Sequence, residues 1–361
     1  MSAPSALPES GLAWRLPGKG EPLVPVRIPV RPPGAGEALI KVEACGLCGS
    51  DRFLQSGGFG DDRFPVIPGH EAAGTVVAVG GGDEYDLGLV GNRVALYYIE
   101  PDEHFAASSG KENLGEGVRR MGVDVDGALS QYVTRPIRSL VIGHGLPAIE
   151  LAVLSDAVAT PYHALRLADV KADQLVAVIG TGGVGSNAVQ LAAVRGARTI
   201  AIGRSAAKLE VARSLGAEIT MASADGAAAI RAAAGGNIDV VIQCVGSPAM
   251  DELAIEIAGI GATVVFVGAS TTPFSTTSMA LIQRELRLLG SRGFTRHDIA
   301  DVIALRVAGT ISLDHLLTDV RPFDDAANAF ETVGAGERLR AIIEPWNGYD
   351  EVEALVNGVV A

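Results

Sequence analysis

The chain contains few cysteines, few aromatic residues and no excess of basic charge. Its 361 residues include 3 cysteines, and aromatic residues make up 5%. Three cysteines cannot form a fully paired disulfide framework, so the thiols are expected to stay reduced in a cytoplasmic protein. The net charge of −13 argues against a nucleic-acid or anionic-membrane partner and is typical of a well-solvated surface.

Long apolar segments are also missing. No run reaches the roughly 18 residues needed to cross a bilayer. The start MSAPSALPES lacks the basic end and apolar block of a secretory signal. Apolar residues nevertheless make up 48% of a chain longer than the roughly 250–300 residues at which single cores stop growing. We therefore expect a cytoplasmic protein with two domains and no membrane partner.

The sequence changes character near residue 150. Before that point, proline and glycine separate short β-rich runs such as EALIKVEACG and EAAGTVVAVG, which predict a β-dominated domain. After it, LVAVIG, TIAIGR and IDVVIQCVG alternate with helical Ala/Leu segments. This alternation predicts βαβ units and a parallel sheet, so the fold class is α/β.

Two of the cysteines, Cys45 and Cys48, stand at CxxC spacing in EACGLCGSDRF. This spacing alone leaves four interpretations open: half of a structural zinc site, a redox pair, one ligand of a catalytic metal, or two buried thiols. The third cysteine, Cys244 in VVIQCVG, is interpreted as a buried apolar residue.

The segment LVAVIGTGGVGSNAVQLAA carries a G-x-G-x-x-G pattern at Gly180, Gly182 and Gly185. Such a pattern is weak evidence alone and also fits an ordinary glycine turn. Here it follows a predicted buried strand and opens a predicted helix, which favours a dinucleotide-binding loop. The free N–H groups of the helix start would then bind the pyrophosphate.

The end of the following strand, TIAIGRSAAK, concerns the type of cofactor. NAD-binding sites usually place a carboxylate there to accept bonds from the ribose 2′-OH. This chain has Gly203, followed by Arg204, Ser205 and Lys208. Hydrogen-bond donors in the absence of a carboxylate favour NADP over NAD; the alternative is that Arg204 is a solvated turn residue.

Candidate metal ligands lie in three segments that are far apart in the chain. His70 and Glu71 occur in PGHEAAG, and Asp156 occurs in LSDAVATPYHAL. One cysteine, one histidine and one carboxylate with a fourth position open describe a catalytic rather than a structural zinc site. The alternative for His70 alone is a core histidine bonded to backbone.

Six segments resemble, in family order, motifs of the zinc-dependent alcohol dehydrogenases of the medium-chain dehydrogenase/reductase family. They are CGLCGSD, GHEAAGTVVAVG, VDGALSQYV, LSDAVATPYHAL, GTGGVG and GERLRAIIEP. The resemblance implies a GroES-like catalytic domain over residues 1–156 and a Rossmann cofactor domain over 157–294. Residues 295–361 would return to complete the catalytic domain. It also implies a homodimer or homotetramer.

The resemblance assigns roles residue by residue. Cys48, His70 and Asp156 would bind the catalytic zinc, with Glu71 approaching it transiently and Asp51 orienting His70. Cys45 matches no ligand. Ser50 would start proton transfer beside the substrate, and Ser50, Phe53, Tyr97 and Thr160 would line the pocket. Cofactor contacts would come from Gly180, Gly182, Gly183, Val184, Gly185, Gly203, Arg204, Ser205, Lys208, Val245, Val267, Gly268, Arg340 and Thr160.

The sequence departs from the family at two places. Many members hold a structural zinc on four cysteines, where this chain has Pro101, His104, Ala107 and Gly115, so we expect one zinc and not two. A histidine that relays the proton in relatives is replaced by Phe53. The expected activity is hydride transfer between a nicotinamide cofactor and a small alcohol or carbonyl compound, preferably a secondary alcohol.

Other functions remain open at this point. The substrate could instead be a polyol or an acyl-CoA-linked cyclic alcohol. A zinc-free reductase of the same superfamily would lack the Cys/His/Asp set. A non-catalytic NADPH-binding protein is the alternative of another class.

Overall fold

A computed structural model of the chain describes residues 7–81, 84–100, 102–109, 111–334 and 338–358. It divides into two compact units. The first unit contains the chain up to Ser155 and returns with segments that begin at Leu317 and Arg340. The second unit comprises Asp156–Leu316 and, among the described residues, also 338–339. None of the helices in the described ranges combines the length and hydrophobicity needed to span a bilayer.

The first unit is built from short strands and short helices. Its strands are β1 (Ser10–Arg15), β2 (Val24–Pro29), β3 (Glu37–Leu47), β4 (Glu71–Val79), β5 (Arg93–Leu96), β6 (Ile99–Glu100), β7 (Arg119–Arg120), β8 (Tyr132–Pro136) and β9 (Leu140–Ile142). Its helices up to Ser155 are α1 (Gly49–Gln55), α2 (Glu84–Leu87), α3 (Glu103–Ser109) and α4 (Ala148–Val153).

The second unit alternates strands and helices. Its strands are β10 (Leu175–Ile179), β11 (Arg198–Gly203), β12 (Ile219–Ala222), β13 (Val240–Gln243), β14 (Thr263–Phe266) and β15 (Arg287–Gly290). Its helices are α5 (Ala159–Leu167), α6 (Gly183–Val194), α7 (Ala206–Ser214), α8 (Gly226–Ala234), α9 (Pro248–Ile257), α10 (Ser278–Ile282) and α11 (Arg296–Val307). The returning segments add β16 (Val320–Pro322), α12 (Ala326–Glu331), β17 (Ala341–Glu344) and α13 (Tyr349–Val356) to the first unit.

The main sheet of the first unit follows the order β16-β17-β3-β4-β5-β9, with β8 also paired to β3. Strand β3 is the centre of this sheet, and it pairs antiparallel with β4, β8 and β17. Eight of its eleven residues are buried, as expected for a strand that is largely covered on both faces. The returning strand β17 therefore completes this unit.

The sheet of the second unit is parallel throughout, in the order β12-β11-β10-β13-β14-β15. The chain starts at a central strand, builds outward to one side and then crosses to the other, which is the doubly wound Rossmann arrangement. The α/β fold class with a β-rich first domain and a parallel second domain is confirmed. The central strand β10 is fully buried, and its carboxyl end faces the glycine loop.

The second unit extends beyond the predicted boundary at residue 294, as far as Leu316. Helix α11 packs against α5. His163 Nδ1 of α5 lies 2.8 Å from Asp298 Oδ2, and Arg166 Nε lies 3.1 Å from the other oxygen of the same carboxylate. These contacts hold α11 to the second unit: the His163 and Asp298 side chains are buried, whereas the Arg166 side chain is 48% exposed. Burial alone would raise the pKa of Asp298, but hydrogen bonds from His163 and Thr295 lower it.

Candidate active site

Cys48 lies at the junction of β3 and α1. It precedes the first residue of the helix in extended geometry, and its backbone N–H donates to Asp51 Oδ2 at 2.8 Å. The other oxygen of Asp51 accepts from the Gly69 N–H and lies 3.3 Å from His70 Nδ1. The buried Asp51 carboxylate thus ties together the two segments that carry Cys48 and His70.

His70 is buried immediately before the first residue of β4. The carboxylate of Asp51 beside Nδ1 favours the tautomer of His70 in which Nδ1 carries the proton. Nε2 then offers its lone pair, as a metal ligand requires. Nε2 lies 3.1 Å from Ser50 Oγ. The ring of Tyr98 meets the His70 ring edge-on, with centroids 5.5 Å apart.

Cys45 lies beneath the turn that precedes His70. Gly69 has φ +94°, and a Cβ there would approach Cys45 Sγ to 2.6 Å and Leu129 N to 2.7 Å. Burial raises the pKa of the Cys45 thiol well above its ordinary value, which disfavours the thiolate that a metal or a redox partner would need. Cys45 therefore acts as a packing residue. Burial also raises the pKa of Cys244, to about 12.

Asp156 follows α4 in one π-helical turn, Leu154–Val158. Helix α4 packs on β3, β4 and β5, and Asp156 comes immediately after the last residue of the first unit in the same helical run. Ligand atoms of Cys48, His70 and Asp156 lie within 4.8 Å of one another, and no other such His/Cys/Asp/Glu group occurs among the described residues. A thiolate, an imidazole and a carboxylate at this spacing fit a catalytic zinc ion with an open position.

Glu71 and Arg340 form a buried pair beside these ligands. Arg340 Nη1 lies 3.2 Å from Glu71 Oε2 and donates to the Leu47 backbone carbonyl at 3.3 Å. The guanidinium thus links the strand ends that carry Cys48 and His70. The roles of Arg340 toward the pyrophosphate and of Glu71 toward the metal stay predictions.

Two of the predicted pocket residues, Phe53 and Tyr97, differ in exposure. Phe53 is half-buried on α1, three residues after Ser50 and so on the same helix face, and it meets Phe59 edge-on with centroids 4.9 Å apart. Tyr97 is 1% exposed. The neighbouring Tyr98, which contacts His70, is a pocket candidate that the sequence prediction missed.

The glycine loop has the geometry that a dinucleotide needs. Gly180 has φ +95°, and a Cβ on Gly185 would stand 1.6 Å from the Gly180 carbonyl oxygen, so both positions need glycine. A Cβ on Gly182 would meet nothing within 4 Å. The open space at Gly182 matches the place where the pyrophosphate approaches. Gly183 and Val184 form the first turn of α6.

The remaining predicted cofactor residues follow the carboxyl ends of neighbouring strands. Val245 comes after β13, and Val267 and Gly268 come after β14. Gly203 ends β11, Arg204 is exposed, and Ser205 caps α7 by accepting from the Lys208 N–H. The strands β11, β10, β13 and β14 are adjacent and parallel, so these residues all lie at the carboxyl end of the sheet.

The positions that match the structural-zinc lobe are partly described. Pro101 lies outside the described residues, His104 is exposed on α3, Ala107 falls within α3, and Gly115 has φ +121°. The expected zinc count of one stays a prediction.

Comparison with known proteins relates this geometry to two family models. Residues 34–144 match the alcohol dehydrogenase GroES-like domain, and residues 183–308 match the zinc-binding dehydrogenase model. The L-galactonate-5-dehydrogenase of Escherichia coli K12 is 32% identical over 86% of this chain and 92% of its own length. An alcohol dehydrogenase of Geobacillus stearothermophilus is 29% identical over 84% and 90%.

Solved structures are similar over almost the full chain. A zinc-binding dehydrogenase from Sinorhizobium meliloti 1021 bound to NADP has a TM-score of 0.85 and 28% identity, and covers 94% of this chain and 100% of its own. Acetophenone reductase from Geotrichum candidum in complex with NAD has a TM-score of 0.82 and 28% identity, and covers 95% and 99%.

Proposed function

Because the chain belongs to the zinc-binding alcohol dehydrogenases and is an NAD(P)-dependent enzyme of that family, we propose that it interconverts a secondary alcohol and a ketone with NADP(H). One zinc ion would be held by Cys48, His70 and Asp156. The observation that carries this proposal is the convergence of these three ligand atoms within 4.8 Å. The zinc-free reductase alternative does not account for that convergence.

When bound, zinc supplies Lewis-acid polarisation of the substrate oxygen. The chain's own residues position that site and manage the proton. The Asp51 carboxylate, 3.3 Å from Nδ1, would hold His70 in the ligand tautomer. The Ser50 hydroxyl, next to His70 Nε2, is the group that would accept the proton of the substrate alcohol and pass it on. Because Phe53 stands in place of a histidine, we propose that the proton leaves through the cofactor ribose and water.

The preference for NADP rests on the end of β11. An Asp side chain at position 203 would start from a Cβ that stands 2.6 Å from Thr181 Oγ1, so a ribose-binding carboxylate has no ready place. The exposed Arg204 can donate charge-assisted bonds to a 2′-phosphate. The relative from Sinorhizobium meliloti is bound to NADP, whereas acetophenone reductase is bound to NAD. Measurement of kcat/KM with NADPH and NADH tests this choice.

An apolar ketone is the proposed substrate class. The edge-on pair of Phe53 and Phe59 offers an apolar surface on the helix face that carries Ser50, and the similar acetophenone reductase is named for an aryl ketone. The similarity to L-galactonate-5-dehydrogenase supports a polyol as the second candidate. NADPH oxidation with acetophenone, cyclohexanone and a ketose, together with zinc analysis, separates the two. Turnover of the ketose alone would overturn the apolar assignment.

We propose that two copies pair through the edge of the parallel sheet. Strand β15 ends that sheet, and unpaired edge strands are templates for pairing with a second chain. Met279 and Ile282 on the adjacent α10 are 58% and 68% exposed. Light scattering should give a dimer that Ile282→Glu weakens, and a tetramer would indicate a further contact. The cytoplasmic location stays a prediction.

A further inference from the structure

The hydroxyl of Thr160 contacts the side chain of a candidate metal ligand. Thr160 Oγ1 donates to Asp156 Oδ1 at 2.7 Å, and both side chains are buried. The two residues are four apart at the start of α5, where i and i+4 side chains lie one above the other. This contact was not part of the roles predicted for Thr160, which were to line the substrate pocket and to contact the cofactor.

The choice of acceptor is informative. Hydroxyls inside helices usually bond to a backbone carbonyl one turn earlier. Ser155 does so with the Ala152 carbonyl at 2.7 Å, and Ser186 does so with the Gly183 carbonyl at 3.1 Å. Thr160 instead uses the carboxylate of Asp156. The π-helical turn Leu154–Val158 connects α4 to α5, and such turns are frequent at functional sites.

A carboxylate ligand needs orientation more than a thiolate does. Cys48 offers a single sulfur atom, whereas Asp156 offers two equivalent oxygens that can exchange by rotation of the group. His70 already has an orienting partner in Asp51. Because Oδ1 accepts the bond from Thr160, Oδ2 would be the oxygen presented to a bound metal, in the way that outer partners fix ligands elsewhere.

We propose that Thr160 is a positioning residue of the metal centre, and that its hydroxyl selects which oxygen of Asp156 binds zinc. This inference rests on the proposed ligand set of Cys48, His70 and Asp156. It implies that Thr160 contributes to zinc affinity and to coordination geometry, and not only to cofactor packing.

Zinc affinity gives the first test. The dissociation constant for zinc is measured by competition with a fluorescent chelator on the full-length protein. Thr160→Val removes the hydroxyl at nearly constant shape and should weaken zinc binding by about 10- to 100-fold. Thr160→Ser keeps the hydroxyl and should bind within about threefold of the unmodified protein. Thr199→Val is the matched control, because the buried hydroxyl of Thr199 in β11 donates to the backbone carbonyl of Gly216, and it should leave zinc affinity unchanged.

The visible spectrum of the cobalt-substituted protein gives a second readout that a loss of packing would not move. Thr160→Val should shift the d–d bands, since a free carboxylate can bind through both oxygens, while Thr160→Ser should retain the original spectrum. Unchanged zinc affinity and spectrum in Thr160→Val would overturn the inference, and a rise confined to the KM for cofactor would assign Thr160 to the nicotinamide. Asp156→Ala distinguishes a failure of the proposed ligand set from a failure of the positioning role. If Asp156→Ala keeps zinc, the ligand set is wrong. If Asp156→Ala loses zinc while Thr160→Val does not, only the positioning role of Thr160 is wrong.

Discussion

The glycine loop after β10 presents backbone groups to its ligand, whereas the segments around Cys48 and His70 present side chains. The loop belongs to a unit formed almost entirely by one stretch, Asp156–Leu316. The metal ligands of the first unit depend on a buried carboxylate, Asp51, that bonds two distant segments. A backbone site is therefore sensitive to an added Cβ, and a side-chain site is sensitive to the loss of one functional group.

The largest expected effect is in the side-chain site. Cys48→Ala removes one of the three proposed ligands and should abolish stoichiometric zinc binding and lower kcat/KM by about a thousandfold or more. Cys45→Ala changes a buried thiol three residues away and should keep zinc and most turnover. Elemental analysis and ketone reduction measure both. Equal zinc loss in the two variants would show that the CxxC pair acts as a unit.

The glycine loop offers a pair of variants that separates folding from binding. Gly185→Ala places a Cβ 1.6 Å from the Gly180 carbonyl oxygen and should lower the free energy of unfolding by about 3 kcal/mol. Gly182→Ala meets nothing within 4 Å and should change that free energy by less than about 0.5 kcal/mol.

Binding should still suffer in Gly182→Ala, because the Cβ fills the space that a pyrophosphate approaches, and the dissociation constant for NADPH should rise by about tenfold or more. Urea titration by circular dichroism and cofactor fluorescence measure the two quantities. Normal NADPH affinity in a stable Gly182→Ala would argue that the cofactor does not use this loop as proposed.

Local and long-range features differ in how far the sequence predicted them. The glycine loop was predictable because its strand, turn and helix are contiguous. The contact of Tyr98 with His70 was not, because Tyr97 and Tyr98 lie between the end of β5 at Leu96 and the start of β6 at Ile99. Outside a regular strand, the alternation of side chains no longer shows which ring points inward.

Two other features show the same difference between local and long-range contacts. The extension of the second unit to Leu316 depends on the pairing of His163 with Asp298, which are 135 residues apart. The contact between Asp156 and Thr160, in contrast, has a spacing of four that is visible in LSDAVATPYHAL, and it could have been predicted from helical geometry. Side-chain partners within one helix are accessible from sequence, whereas partners on separate helices require the fold.

A smaller effect is expected in cofactor choice. Arg204→Ala should lower kcat/KM with NADPH by about 10- to 100-fold and leave NADH nearly unchanged, because charge-assisted bonds of roughly 1.5–3 kcal/mol to the 2′-phosphate are lost. The reverse change needs two substitutions. Asp at position 203 would crowd Thr181 Oγ1, so Gly203→Asp should favour NADH cleanly only with Thr181→Ala. Thr181→Ala alone is the control, and a preference for NADH in the unmodified protein would refute the assignment of Arg204.

The smallest expected effect concerns the C-terminal helix α13, which packs on β1, β2 and the turn at Phe323 in the first unit. Val352 is 0% exposed there, while Arg27 and Glu353 form a 2.7 Å ion pair with 36% and 43% of their side chains exposed. Val352→Ala should lower the free energy of unfolding by about 2 kcal/mol, since two methyl groups leave a packed contact. Glu353→Ala should lower it by less than about 1 kcal/mol, and less still at high salt.

Tryptophan fluorescence measures this difference selectively. The chain has 2 tryptophans, Trp14 and Trp346, and both belong to the first unit. A urea transition followed at the tryptophans therefore reports the unit that α13 completes. If Val352→Ala leaves that transition unchanged, α13 does not unfold cooperatively with the unit that carries Cys48 and His70. The tail would then be an appended element, and the first unit's dependence on distant segments would be limited to β16, α12 and β17.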